Sequence, residues 1–469
     1  MNSDVKMKSP KLLLAIFAAL LISSFVSVAR AAEMPNIIII LADDLGYGDL
    51  GCYGHPSIRT PNLDRMAAEG LRFTEFYAGQ SYCTPSRAAL LTGRLAVRSG
   101  LGGRPGPGFH VIYEKDKGGL PTDEITIARA LKVKGYATGC FGKWHLGHQP
   151  EFLPTSHGFD YFFGLPYSND MDALNPKIRN ADSDGPNPDF HNFNVPLFRN
   201  TEIIERPADQ TTLTKRYTAE AIKFIEANKR TPFFIYFPHT FPHVPLFASK
   251  DFKGTSARGL YGDAVEELDW SVGQILETLR KAKLDKNTLV FFTSDNGPWL
   301  QKKFNGGSAG LFRDGKGGTW EGGYRVPGIG RWPGKIKPGV TGEMASAMDL
   351  FNTCLALGGA IIPQDRPIDG VDLSPILFGD GKSKRDVHFY YLGDEPFAVR
   401  KGAFKAHFIT HESYTRNEPE KHNPPLLFNL EEDPSERFDV AAGHSQVVDE
   451  LTQLYENHRA KLTRGKLQF

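Results

Sequence analysis

Four short apolar runs, each ending abruptly in polar residues, constrain the fold more than any other feature of the sequence. They cover residues 36–41, 136–141, 233–237 and 289–292. Continuous β-branched and aromatic runs of this length are typical of strands that are buried on both faces, and they are too short for buried helices. Patterns typical of helices alternate with these runs, at residues 60–70, 123–134, 211–228 and 261–279. The alternation predicts an α/β fold with a large, mostly parallel sheet flanked by helices.

The pattern of apolar and polar residues changes after residue 379. Short alternating stretches follow at residues 388–392, 397–399 and 405–409, and a helical pattern covers residues 446–461. Alternation with period two is typical of half-buried strands. We therefore predict a main domain at residues 32–378 and a smaller C-terminal domain at 379–469, built from an antiparallel sheet and one helix.

The first 31 residues have the layout of a secretory signal peptide. Lysines precede an apolar run over residues 12–22, and small residues lead to an A-x-A site that ends at Ala31. The alternative is a membrane anchor, but a spanning helix needs about 20 apolar residues, which is longer than this run. We expect an exported protein, periplasmic or extracellular, with no stable membrane insertion.

Charge and cysteine content exclude two broad classes of protein. The chain has 55 basic and 54 acidic residues, so no excess of Lys and Arg is available for general nucleic-acid binding. Its four cysteines are scattered and include no C-x-x-C pair. A disulfide framework is therefore not expected to hold the fold together. The pairing of Cys52, Cys140 and Cys354 stays open.

Polar and ionisable side chains follow each apolar run directly. They are Asp43 and Asp44, Lys143 and His145, His239 and His243, and Asp295 and Asn296. In parallel sheets, ligands bind beyond the carboxyl ends of the strands, so these side chains are predicted to form one site. Three carboxylates and an amide are an all-oxygen set that suits a hard cation such as calcium or magnesium. The alternative for each acidic pair is a solvated turn.

Residues 81–93, with the sequence SYCTPSRAALLTG, predict a helix that begins close behind Cys83. Pro85 suits the first turn and Gly93 suits the C-terminal stop. The free N–H groups at the start of such a helix favour an anion, and Arg87, about one turn further on, is placed to reach back to it. The alternative is that Cys83 is simply a small buried apolar residue.

The C-x-P-S-R string at Cys83 resembles the signature of the sulfatase family, in which this cysteine is oxidised to formylglycine. Residues 142–145 (GKWH) and 314–325 (DGKGGTWEGGYR) resemble two further blocks of the family. The likeness runs from about residue 35 to the end of the chain. Residues 165–168 and 405–408 resemble the subgroup of arylsulfatase A and N-acetylgalactosamine-6-sulfatase. The resemblance implies an alkaline-phosphatase-like fold, in which residues 32–378 are the catalytic domain.

The resemblance also implies a reaction and a set of roles. A formylglycine gem-diol at Cys83 attacks the sulfur of an aryl or carbohydrate sulfate ester, and a covalent sulfo-enzyme intermediate then releases sulfate. One divalent cation is held by Asp43, Asp44, Cys83, Asp295 and Asn296; calcium is preferred, and the choice between calcium and magnesium stays open. The other implied catalytic residues are Arg87, Lys143, His145, His243 and Lys316. Ser168 and His407 are implied on the substrate side, and His239 competes with His243 for its role.

The implied partners are a sulfated small molecule or glycan and a formylglycine-generating or equivalent maturation enzyme. Specificity is expected to depend on the loops at residues 101–119 and 169–200. The cysteines are fewer than in human members of the subgroup, which favours a bacterial enzyme. One alternative is a phosphatase of the same superfamily, but it needs a Ser or Thr nucleophile and ligands for a second metal. The other is a non-catalytic protein that binds sulfated glycans.

Overall fold

A ten-stranded mixed sheet forms the centre of the main part of the chain. The computed structural model describes residues 34–104, 110–175, 177, 185–379, 381–415 and 417–469. The predicted signal peptide at residues 1–31 lies outside these residues. The strands of this part are β1 (Asn36–Ala42), β2 (Leu71–Phe73), β3 (Phe76–Tyr77), β4 (Ala137–Phe141), β5 (Tyr161–Gly164), β6 (Leu197–Arg199), β7 (Glu202–Glu205), β8 (Phe233–Pro238), β9 (Thr288–Ser294), β10 (Gly328–Arg331), β11 (Gly339–Thr341) and β12 (Ala345–Ser346).

The four strands predicted from the apolar runs lie next to each other in the middle of the sheet. The strand order is β11-β2-β10-β9-β1-β8-β4-β5-β6-β7, and β3 pairs with β12 in a separate two-stranded sheet. Strand β1 pairs in parallel with β8 and β9, and β4 pairs in parallel with β8. Strands β10, β6 and β7 run antiparallel to their neighbours. The predicted mixed, mostly parallel sheet is therefore confirmed.

Strand β1 shows why a continuous apolar run was required. All of its residues are buried, and alternate side chains enter two different core clusters. Ile38 and Ile40 join one cluster, whereas Ile37 and Ile39 join the other. Because successive side chains of a strand point to opposite faces, both faces of the sheet are covered, and apolar residues are required along the middle of the strand.

Helices pack on both sides of the sheet. They are α1 (Pro61–Glu69), α2 (Cys83–Thr92), α3 (Ile127–Lys132), α4 (Leu213–Ala227), α5 (Leu260–Lys281), α6 (Glu321–Tyr324), α7 (Asp349–Leu357) and α8 (Ser374–Phe378). Helix α3 is shorter than the predicted helix at 123–134. The side-chain oxygen of Thr126 accepts a hydrogen bond from the backbone N–H of Arg129, so Thr126 is the N-cap and fixes where the helix begins.

The C-terminal part contains a four-stranded antiparallel sheet and one long helix, as predicted. Its strands are β13 (Val387–Leu392), β14 (Glu395–Lys401), β15 (Phe404–Thr410) and β16 (Glu420–Asn429), in that order, and its helix is α9 (Ser445–Lys461). Strand β16 was not predicted, because it contains Pro424 and Pro425 and starts with charged residues. Proline cannot donate to a sheet, so it is found on edge strands, and β16 is one.

Buried ion pairs join the C-terminal sheet to the main part of the chain. Lys405 on β15 contacts Glu321 at the start of α6, with 3.1 Å between Nζ and Oε1. The same ammonium group lies 2.9 Å from Glu436 Oε1, and all three side chains are fully buried. Because an isolated buried charge is costly, this network fixes the C-terminal sheet beside the segment at residues 314–321.

All four cysteines are unpaired, so no disulfide supports the fold. Among the described residues, no helix has both the length and the apolar character needed to cross a bilayer.

Candidate active site

The site forms where β1 and β9 end side by side. The parallel register pairs Ala42 with Ser294, so the acidic residues that follow both strands start at the same level. The backbone N–H of Asp44 donates to Asp295 Oδ1 at 3.1 Å, and the N–H of Asp295 donates to the carbonyl of Ala42 at 3.1 Å. Asp44 has a φ of 62°, a conformation that few residues other than glycine adopt. The crossed hydrogen bonds hold this turn in place.

Cys83 lies against this turn at the N-terminus of α2. It is the first residue of the helix rather than the residue ahead of it, because Tyr82 is the extended N-cap. Its Sγ lies 3.5 Å from Asp43 Oδ1 and 3.9 Å from Asp44 Oδ1, and the side chain is buried. Burial raises the pKa of the Cys83 thiol well above its ordinary value, although Lys143 and Lys316 oppose this shift. An unmodified Cys83 is therefore a protonated thiol and a poor nucleophile.

The acidic residues and Cys83 offer ligands for one cation. Single ligand atoms of Asp43, Asp44, Cys83 and Asp295 all lie within 4.8 Å of one another. Asn296 Oδ1 is buried and has no hydrogen-bond partner among the described residues, while its amide nitrogen donates to Asp44 Oδ1 at 2.7 Å. Carboxylate and amide oxygens are the donors that calcium and magnesium prefer. The set therefore fits a hard divalent cation.

The carboxylates differ in the direction in which their surroundings shift their pKa values. Burial raises the pKa of both Asp43 and Asp44, whereas Arg87 and Lys143 outweigh burial at Asp295 and lower its pKa. A bound divalent cation would favour the ionised form of all three groups.

Three cationic side chains surround the acidic cluster. Arg87 donates from Nε to Asp295 Oδ2 at 2.9 Å and from a terminal nitrogen to the carbonyl of Lys143 at 2.5 Å. Lys143 Nζ lies 2.5 Å from Asp43 Oδ2, and Lys316 Nζ lies 2.8 Å from Asp44 Oδ2. Because each cation has a carboxylate partner, the buried charges neutralise one another in pairs.

Local backbone constraints place Lys143. Gly142 directly precedes it with a φ of 128°, and a Cβ on Gly142 would lie 1.8 Å from the carbonyl oxygen of Pro238. Only glycine fits this close approach. The N–H of Lys143 then donates to the same carbonyl at 2.7 Å, which ties the loop after β4 to the end of β8.

Two histidines face the pocket with different nitrogen atoms available. His145 Nε2 lies 2.9 Å from the carbonyl of Ile112, so this nitrogen carries a proton. Its Nδ1 is buried without a hydrogen-bond partner among the described residues and is therefore an available acceptor. His243 Nδ1 lies 2.5 Å from the carbonyl of Val244 and 3.2 Å from Asn169 Oδ1, both acceptors, which leaves Nε2 directed at the site, 3.6 Å from Asp44 Oδ2.

His239, the competitor of His243, does not line the pocket. Its ring lies 4.3 Å from that of Phe237, and Ser271 Oγ lies 3.5 Å from its Nε2. Burial alone lowers the pKa of His239 to about 3, so it is a neutral core residue. Of the two histidines, the geometry favours His243 for a role in the site.

The structure places one of the two predicted substrate-binding residues, Ser168, in the pocket and the other, His407, outside it. Ser168 lines the pocket, and its Oγ lies 3.2 Å from Lys143 Nζ. His407 does not line it: the ring is fully buried, contacts Trp320 at 4.3 Å between ring centroids, and lies 2.7 Å from Glu436 Oε1. The position of His407 therefore does not support contact with substrate, and we assign it to the network between the two parts of the chain.

A narrow pocket, with a cavity volume of about 20 Å³, leads to Cys83. Its walls also contain Val111, Tyr113, Asp170 and Met171, which belong to the two loops predicted to carry specificity. Three further lining residues were not predicted as part of the site: Tyr82, Trp299 and Tyr414. Trp299 could have been suspected, because it follows Asn296 closely. Tyr414 could not, since it comes from the connection between β15 and β16 and reaches the pocket only in the folded chain.

Comparisons with known proteins agree with this geometry. A family model described as sulfatase matches residues 35–360, and one described as the C-terminal region of aryl-sulfatase matches residues 383–469. The chain therefore belongs to the sulfatase family, and the fold and the site together are those of a sulfate ester hydrolase. Its sheet and C-terminal unit have the alkaline-phosphatase-like architecture that the family resemblance implied.

Within the family, the chain is similar to two groups of animal enzymes. It is 46% identical to arylsulfatase A of Bos taurus, over 93% of this chain and 91% of that protein. It is 41% identical to N-acetylgalactosamine-6-sulfatase of Canis lupus familiaris, over 94% of this chain and 88% of that protein. Among solved structures, the sulfatase PsFucS1 from Pseudoalteromonas sp. matches with a TM-score of 0.81 and 31% identity, over 97% of this chain and 95% of that one.

Proposed function

We propose that this chain hydrolyses aryl or carbohydrate sulfate esters through a formylglycine formed from Cys83. The observation that carries the proposal is the position of Cys83, at a helix N-terminus and within 3.5 Å of Asp43. The Cys83 sulfur stands where the oxygens of the modified side chain would lie. Lys143 and Lys316, each ion-paired with one of the two aspartates, flank this point.

The modification changes what residue 83 supplies. A maturation enzyme, with an oxidant, replaces the C–S bond by an aldehyde, and water adds to give a geminal diol. One hydroxyl is the nucleophile that forms a covalent sulfo-enzyme with loss of the alcohol, and the other allows sulfate to leave as the aldehyde re-forms. A serine at this position would leave a stable sulfate ester.

One divalent cation, calcium rather than magnesium, would be held by Asp43, Asp44, Asp295, Asn296 and residue 83. Calcium tolerates irregular sets of oxygen ligands, whereas magnesium demands near-ideal octahedral geometry. When bound, the cation supplies positive charge that offsets the sulfate oxygens and acidifies a neighbouring hydroxyl.

The two pocket histidines have complementary roles in this proposal. His243 keeps one proton on Nδ1 against the carbonyl of Val244, takes up a second from solvent on Nε2 when the ester binds, and gives that second proton to the ester oxygen of the leaving alcohol. Burial, Lys316 and Lys143 lower its pKa well below the ordinary value, and the negative charge of the bound ester acts against this shift. His145 accepts the proton of the second hydroxyl through its unoccupied Nδ1. Arg87 positions Asp295 and the carbonyl of Lys143, and Lys143, Lys316 and Ser168 bind sulfate oxygens.

The remaining parts of the proposal concern the setting of the enzyme. We propose export to the periplasm or the extracellular space, with cleavage near Ala31, and catalytic and C-terminal domains at 32–378 and 379–469. The substrate is a sulfated small molecule or sulfated glycan, and a formylglycine-generating or equivalent maturation enzyme is a protein partner.

The first experiment compares turnover of 4-nitrophenyl sulfate and 4-nitrophenyl phosphate by protein produced with a maturation system. Sulfate turnover should dominate, and higher phosphate turnover would contradict the proposal. The tryptic peptide that contains Cys83 should be about 18 Da lighter than its unmodified form. Cys83→Ala should abolish turnover with an unchanged fold, whereas the control Cys52→Ala, at a half-buried cysteine outside the pocket, should keep it.

A further inference from the structure

One buried carboxylate close to the site is not among the proposed cation ligands. Asp49 follows Asp44 in the turn after β1 and is 1% exposed. Its Oδ2 accepts hydrogen bonds from the N–H of Gly46 at 2.7 Å and the hydroxyl of Tyr261 at 2.6 Å, and its Oδ1 accepts one from the N–H of Ser308 at 2.9 Å. Because these three donors engage both oxygens, the carboxylate is held in one position.

The carboxylate of Asp49 joins two segments of the chain, the turn after β1 and a glycine-rich segment that follows β9. A Cβ atom added to Gly46 would lie 2.2 Å from the carbonyl oxygen of Ser308, and one added to Gly307 would lie 2.1 Å from Asp49 Oδ2. The N–H of Gly48 donates to the same Ser308 carbonyl at 2.8 Å. Only glycine allows the two backbones to approach the carboxylate this closely.

The same two segments meet again at the site. Asp44, in the turn, has a φ of 62°, and its Oδ2 lies 2.8 Å from the Nζ of Lys316, which comes further along the second segment. Non-glycine residues keep such a backbone conformation only where the surrounding contacts impose it. The hydrogen bond that Gly46 donates to Asp49 is one of these contacts, and the bond from Ser308 fixes the second segment. Asp49 therefore sets the spacing at which Asp44 faces the site.

We propose that Asp49 is a positioning residue, which holds Asp44 where that residue binds the divalent cation. The proposal rests on the cation site of the proposed function and adds a residue outside the ligand set. Asp49 acts through the backbone of Gly46 and not by contact with the ion, since hydrogen bonds engage both of its oxygens. Groups that orient metal ligands in this way typically contribute about ten- to a hundredfold to metal affinity.

The test titrates calcium chloride into metal-stripped, matured protein at pH 8 and measures the dissociation constant by calorimetry. Asp49→Asn should weaken calcium binding by about tenfold or more, because either orientation of the amide turns an N–H group towards a backbone N–H. Asp49→Glu keeps the negative charge, but Gly46 and Gly307 leave no room for its longer side chain, so it should lose a similar factor. Wild-type affinity in Asp49→Glu would show that charge alone matters and would overturn the proposal.

Asp269→Asn is the matched control. Asp269 is 2% exposed, lies outside the pocket, and accepts hydrogen bonds from the backbone N–H groups of Asn62 and Leu63. Burial raises the pKa of Asp49 and of Asp269 to about 6, so both carboxylates are ionised at pH 8. The control should lose stability in denaturant much as Asp49→Asn does, but it should keep the wild-type calcium affinity.

Tyr261→Phe decides the matter if the Asp49 variants do not fold. It keeps the ring of Tyr261 and the charge of Asp49 and removes one of the three donors, so it should weaken calcium binding by a smaller factor. Unchanged affinity in Tyr261→Phe and Asp49→Asn, or an equal loss in Asp269→Asn, would overturn the proposal. Wild-type protein that binds no calcium would overturn it together with the cation site. Wild-type protein that binds calcium but releases no sulfate would contradict the proposed function alone.

Discussion

Arg87→Lys tests whether the shape of the guanidinium group, rather than its charge, holds the site together. Arg87 is fully buried. Besides an ion pair with Asp43 at 3.4 Å, it contacts two closer partners with different nitrogens. Nε and a terminal nitrogen lie 2.9 and 2.8 Å from Asp295 Oδ2, and the other terminal nitrogen donates to the Lys143 carbonyl. Lysine keeps the positive charge but offers a single nitrogen, so it cannot bind both partners.

The expected loss of stability follows from the contacts that lysine cannot replace. A hydrogen bond to a charged group contributes about 1.5–3 kcal/mol, and leaving the buried carbonyl of Lys143 without a donor costs about 1–3 kcal/mol. If the lysine keeps one contact with Asp295, the free energy of unfolding should fall by about 3 kcal/mol. Turnover of an aryl sulfate should also fall by at least about tenfold, because Lys143 and Asp295 lose their shared support.

Denaturant midpoints and aryl sulfatase activity are measured for the wild type, Arg87→Lys and the control Arg385→Lys. Arg385 is similarly buried and contacts Asp349 and the carbonyl of Asp369, outside the pocket. The control should lose comparable stability but keep its kcat. A stability loss below about 1 kcal/mol for Arg87→Lys, or equal activity losses in both variants, would refute the reasoning.

Three further outcomes are expected. Lys405→Met should destabilise the fold by about 3–5 kcal/mol because it removes the ammonium group that two buried glutamates share and leaves Glu321 with Arg325 as its ion-pair partner. Lys401→Met, at an exposed pair, should cost less than about 1 kcal/mol in the same denaturant titration. Removal of the cation with a chelator should lower the midpoint temperature of thermal unfolding, measured by calorimetry, and added calcium should restore it, because a ligand that binds the native state stabilises that state. In Asp44→Asn, added calcium should restore less of the midpoint temperature. His239 is neutral in the folded state, with a pKa of about 3, and takes up a proton on unfolding below its ordinary pKa, so stability falls as the pH falls. His239→Gln should reduce that slope, measured from pH 6 to 4, by about 1.4 kcal/mol per unit; an unchanged slope would contradict this assignment.

The central strands and the polar groups behind them could be predicted because one physical requirement fixes both. A strand covered on both faces must be continuously apolar, and its polar residues can begin only where it ends. Strands β6, β7 and β11 lack this signature, since they are short and partly exposed. Their pairing depends on neighbouring strands rather than on their own composition, so the sequence pattern did not predict them.

The pocket wall could not be predicted for a different reason. Tyr414 reaches Trp299 only because Lys405 and its buried partners dock the C-terminal sheet, and because Ser413 is tied to Asp314. Neither contact leaves a periodic signal in the sequence. His407 is the opposite case, a residue that the sequence singled out but that does not line the pocket. Residues 405–408 resemble a family motif, yet the ring of His407 packs on Trp320. Local patterns therefore predicted the residues at the strand ends well and the residues contributed by docking poorly.

The charges at the site explain why it suits a sulfate ester. Asp43, Asp44 and Asp295 are matched by the cationic side chains of Arg87, Lys143 and Lys316, which makes the protein part close to neutral. One divalent cation, bound as we propose, would give the site a net positive charge in a buried, low-dielectric environment, where such charge attracts anions strongly. A sulfate monoester brings a single negative charge, whereas a phosphate monoester brings nearly two at neutral pH. A site with one cation cluster and paired lysines therefore favours the less charged ester, and a phosphatase on the same fold needs further positive charge.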